Sequence, residues 1–63
     1  MPNDKCQPIR DSIKDTEAGI REAEALLPEV RGPLKTQIEL FIKREKAHLR
    51  QLRSALKACE ANG

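Results

Sequence analysis

Glu45 and His48 stand three residues apart in the run IKREKAHLRQL, residues 42–52. On a helix that spacing puts a carboxylate and an imidazole on one side, where both can reach one metal ion or pass a proton. Few other residues could do chemistry. Cys6 and Cys59 are the only thiols. Lys43, Lys46, Arg50, Arg53 and Lys57 recur at spacings of three and four. On a helix they form a basic ridge roughly 20 Å long, a shape suited to phosphates. No nucleophile has its base: His48 and Cys59 lie about 16 Å apart along one helix. Gly19, Gly32 and Gly63 are too scattered to form a phosphate-cradling loop. A non-enzymatic protein is the expectation.

Two helices must position these groups. Ile9, Ile13, Thr16, Ile20, Ala23, Leu27 and Val30 alternate spacings of four and three, and Leu34, Ile38, Ile42, Glu45, Leu49, Leu52, Leu56 and Cys59 follow the same rhythm from Ile38 onward. Each set is a coiled-coil-like heptad seam, the second widened by Phe41. Pro8 suits a first helical turn, so helix one is predicted from about Gln7 to Leu27, where Pro28 disfavours helical geometry. The turn takes residues 28–32. Gly32 and Pro33 open helix two, predicted from about Pro33 to Ala61, with Asn62 and Gly63 as a terminator pair. So short a connection makes the helices antiparallel neighbours. The expected fold is all-α: a single helical-hairpin domain that dimerises into a four-helix bundle.

Glu45 interrupts the second seam, and an unpaired buried carboxylate is costly. The first expectation is a polar layer. Glu45 would be hydrogen-bonded to Thr16 across the seam, or paired with Arg21 or His48 and partly solvated. Such a layer fixes register and oligomeric state at some cost in stability. The alternative is a metal site. The residues Glu45-Lys46-Ala47-His48 resemble the Glu-x-x-His motif of ferritin-like proteins. That resemblance implies a di-metal carboxylate bundle shared by two hairpins, with Glu17 as the helix-one ligand beside Glu45 and His48.

The cysteines lie beyond the two seams at the open end of the hairpin, so a Cys6–Cys59 disulfide is the leading reading. Reduced thiols and a zinc site shared across a dimer are the alternatives. Helix one carries Asp11, Asp15, Glu22 and Glu29 on its outer side, so the basic ridge is expected to pair with acidic neighbours or stay solvated. Phosphate binding is the alternative reading of the ridge. Ser12, Thr16, Gly19, Ala23 and Leu26 form a strip of mostly small residues beside the first seam, suited to close approach by another helix.

Composition agrees with these elements. Of 63 residues, 35% are charged and one is aromatic, which favours long helices over sheets. A lone core is marginal at this length, so a staple or partner is expected. The net charge of +2 does not by itself call for an anionic partner, and neither nucleic acid nor a membrane is the expected partner. No apolar run approaches the ~20 residues of a membrane span, and the first residues lack a secretory signal. A cytoplasmic location is the default, with a processed secreted form as the alternative. The sequence therefore reads as a structural module that self-associates or binds a partner helix, without a cofactor. Association would run through Ile9, Ile13, Thr16, Ile20, Leu27, Ile38, Ile42, Leu49, Leu52 and Leu56.

Overall fold

The computed structural model describes residues 4–62, which form an all-helical hairpin. Helix α1 spans Gln7–Leu26, a single 3₁₀ turn follows at Leu27–Glu29, and helix α2 spans Pro33–Asn62. Asp4 starts α1. Its side-chain Oδ1 accepts the Cys6 N–H at 2.9 Å, and its carbonyl accepts the Gln7 N–H at 3.1 Å. Pro8 falls in the first helical turn, where its missing N–H leaves no bond unmade.

At Pro28 the helix kinks into a final turn. The α-geometry stops at Leu26, and Leu27, Pro28 and Glu29 tighten into the 3₁₀ turn. Val30 is then extended, and Gly32 reverses the chain at φ +69°. That left-handed backbone is natural to glycine and strained for any residue with a Cβ. The Gly32 carbonyl accepts the Thr36 N–H at 3.3 Å, which opens α2. At the far end Asn62 continues the helix rather than terminating it. Gly63, the other half of the expected stop, lies outside the described residues.

The two helices pack side by side into a slab of 49 × 19 × 11 Å. Its radius of gyration is 14.9 Å, against about 11 Å for a compact domain of this length. The slab is one helix thick, so nothing covers the seam from above or below. Burial follows from that shape. Ile20, Ala23, Ile42 and Leu49 form the buried core, and Ile13, Leu27 and Ile38 are half-buried against it. Of the other expected seam positions, Ile9, Thr16, Leu52 and Leu56 are also only half-buried. Among the described residues no side chain is fully enclosed.

At the open end Cys6 and Cys59, 53 positions apart in sequence, are joined in a disulfide with their Cα atoms 5.9 Å apart. Cys6 belongs to the buried set. Closing so long a loop removes chain entropy from the unfolded state, worth about 4 kcal/mol in that picture. A gain of that size rivals the whole net stability of many small domains. Reduction, or Cys59→Ala, should therefore lower the unfolding free energy by about 4 kcal/mol in a urea titration followed by circular dichroism. An unchanged midpoint would show that the seam suffices alone.

Candidate functional site

Helical geometry divides the slab into two unlike faces. Arg10, Glu17 and Glu24 recur every seven residues on one flank of α1, while Lys46, Arg53 and Glu60 do so on α2. The structure brings these flanks together on the same side. Arg53 Nη2 donates to Glu17 Oε2 at 2.9 Å, Arg10 Nη2 donates to Glu60 Oε2 at 3.0 Å, and Lys46 Nζ lies 3.3 Å from Glu24 Oε2. Arg10 also pairs with Asp4, which ties this network to the start of α1. All these groups are partly exposed, so the pairs add little to stability. Their spacing instead fixes which helix edges meet.

This ionic face takes up part of the basic ridge. Lys46 and Arg53 turn toward α1, while Lys43, Arg50 and Lys57 are exposed and make no ion pair among the described residues. It also takes up Glu17. The carboxylate expected to join Glu45 and His48 is held by Arg53, across the seam from the side where His48 projects. Among the described residues no three His, Cys, Asp or Glu side chains of one hairpin converge as metal ligands.

Glu45 sits among different neighbours from those the sequence suggests. The Cys6–Cys59 link sets the level of the helices. Counting inward at equal rise puts Ala23 level with Ile42, Thr16 with Leu49, and Ile20 with Glu45. The expected Thr16–Glu45 pairing is one turn out of step. Ile20 offers no donor, so the carboxylate leaves the seam sideways. Its Oε2 comes within 3.6 Å of His48 Nδ1, an ion-pair contact longer than a hydrogen bond. Arg21 is exposed on the opposite flank. The Glu45 side chain retains 29% exposure and His48 53%, so water reaches both.

The face on which they emerge is otherwise apolar. Leu34 (53% exposed) and Phe41 (45%) project there from α2 beside half-buried Leu52, and Leu26 (47%) from α1. Alongside runs the strip of Ser12, Thr16, Gly19 and Ala23. A Cβ built on Gly19 would meet nothing within 4 Å, so no group of this chain fills that space. None of the ion pairs between the two helices lies on this side. Leu40, also exposed, points from the back of α2.

The Asp4–Arg10–Glu60 network lies outside the apolar heptad. The signal was present in the seven-residue spacing of Arg10, Glu17 and Glu24 against Lys46, Arg53 and Glu60. Comparison with known proteins finds no matching family model, no similar curated protein and no similar solved structure. Among the described residues no helix is long and apolar enough to cross a membrane.

Two tests follow from this geometry. Glu45→Leu replaces a half-buried carboxylate facing Ile20 with an apolar group, and should raise stability by about 1 kcal/mol in urea. Destabilisation would mean that the polar contacts of Glu45 are indispensable. Asp4 offers a pH test. The Cys6 N–H and then the Arg10 guanidinium hold its carboxyl below the ordinary 3.8. Its contribution is therefore complete above that value and is lost as pH falls through the lowered one. Asp4→Asn should flatten that part of the acid limb of the melting temperature between pH 4 and pH 2. An identical acid limb in both proteins would contradict the assignment.

Proposed function

We propose that this protein is a structural, non-enzymatic module whose hairpins self-associate through the apolar face into a four-helix bundle. The observation that carries the reading is the gathering of Leu26, Leu34, Phe41 and Leu52 on the one face without an ion pair between the helices. Exposed apolar patches of this kind on small proteins mark interaction surfaces.

A second copy is the occupant the face fits. The bulky residues lie mainly on α2 and the small ones on α1, so a two-fold axis along the hairpin sets Phe41 of each copy beside Ala23 of the other, at the end of the small-residue strip. That is the self-complementarity an isologous dimer requires. The slab measures 49 × 19 Å across, comparable with the ~800 Å² per partner of stable interfaces. Glu45 and His48 then form the polar layer of the bundle. The alternative arrangement, open face against ionic face, would bury unpaired cations against leucine and phenylalanine, which is costly.

Sedimentation of the disulfide-intact protein tests this directly. The unmodified chain should sediment as a concentration-dependent dimer and Phe41→Glu as a monomer of unchanged helicity. Gly19→Gln separates the effects: it should strengthen the isolated helix by roughly 0.5–1 kcal/mol yet weaken the dimer. A monomer at all concentrations, or a Phe41→Glu dimer, contradicts the reading.

A further inference from the structure

We infer that the ionic face of the hairpin binds the phosphate backbone of duplex nucleic acid. The ion pairs between the helices consume the carboxylates Glu17, Glu24 and Glu60, which leaves Glu39 as the one unpaired carboxylate on this side among the described residues. Beside them remain Lys14 and Arg21 on α1 and Lys43, Arg50 and Lys57 on α2, none in an ion pair among the described residues. Helical projection puts all five on the same side of the slab. Each row repeats every seven residues, about 10.5 Å, and the rows are separated by roughly one helix-to-helix distance. The modest net charge of the chain conceals this patch, because the acids Asp11, Asp15 and Glu22 that lower it lie along the far side of α1.

The surroundings of the five cations select the partner. A membrane-surface helix needs apolar side chains beside its cations. Here Leu26, Leu34 and Phe41 project from the opposite face. Binding of single strands relies on stacking aromatics, and Phe41, the only aromatic residue, is on that opposite face too. What the ionic face offers is point charges at regular intervals on a rigid support. A duplex carries one phosphate per strand for every ~3.4 Å of its axis, so the ~10.5 Å repeat of the cations spans the charge of about three base pairs. Lysine and arginine contacts to phosphate hold a register without reading sequence, so binding is indifferent to base order.

The test is fluorescence anisotropy of a short labelled DNA duplex titrated with the disulfide-intact protein. Five phosphate contacts give an affinity that falls about 500-fold between 50 and 200 mM salt. Arg50→Glu should weaken binding at least tenfold at the lower salt. Arg44→Glu, the same charge change on the other side of α2, should leave it within about twofold. Lys43→Gln with Lys57→Gln supplies a second variant without charge reversal, expected to lower the salt slope by about two, and circular dichroism checks that each variant keeps its helicity. Phe41→Glu should bind the duplex as the unmodified chain does, which separates this proposal from self-association. Salt-insensitive or absent binding overturns it. So does equal weakening by Arg44→Glu and Arg50→Glu, or binding to phosphatidylserine vesicles without binding to duplex.

Discussion

A single layer of apolar side chains between two helices has to hold this chain in order. The slab is one helix thick, and every seam residue therefore keeps a path to water on at least one side. Ile20, Ala23, Ile42 and Leu49 bury most of their surface, but none is fully enclosed. Ordering each residue costs roughly 1.5 kcal/mol of conformational entropy, which so thin a core scarcely offsets. The disulfide acts on the other side of that balance by restricting the unfolded chain. Its position matters as much as its presence. Cys6 and Cys59 join the ends farthest from the Gly32 turn, so covalent constraints close the layer at both ends.

The same thinness produces two working surfaces. Salt bridges gather along one side because heptad-spaced charges flank both seams there, and they are too exposed to add much stability. Their consequence is geometric: they leave the other side to Leu26, Leu34, Phe41 and the small residues of α1. In the proposed assembly one face excludes water against a second hairpin and the other meets a polyanion. Two hairpins joined through the first face would present the second on both outer sides of the bundle.

Much of this was legible in the sequence, because periodicity and proline act locally. The seven-residue rhythm located both seams, Pro8 and Pro33 marked the helix starts, and the distance of each cysteine from the turn suggested the bridge. Quantities that depend on the turn were not legible. The level at which the Cys6–Cys59 link and the turn hold the helices sets Ile20 rather than Thr16 opposite Glu45. Lateral choices were hidden as well. Glu17 stands at the edge of its seam, and only the placement of Arg53 determines which way it turns. Net charge is uninformative for a similar reason, since a sum over the chain does not say which side of a helix each charge occupies.

The most direct test of the account is residue-resolved amide hydrogen exchange on the oxidised and reduced protein. If the staple substitutes for missing core, the oxidised chain protects amides around residues 9–13 and 52–59 almost as well as those around Ile20 and Leu49. Reduction then strips protection from the cysteine end first and from the centre soon after. Equal protection in the two states, or a cysteine end that exchanges freely while the bridge is intact, would contradict the claim that the disulfide completes the fold.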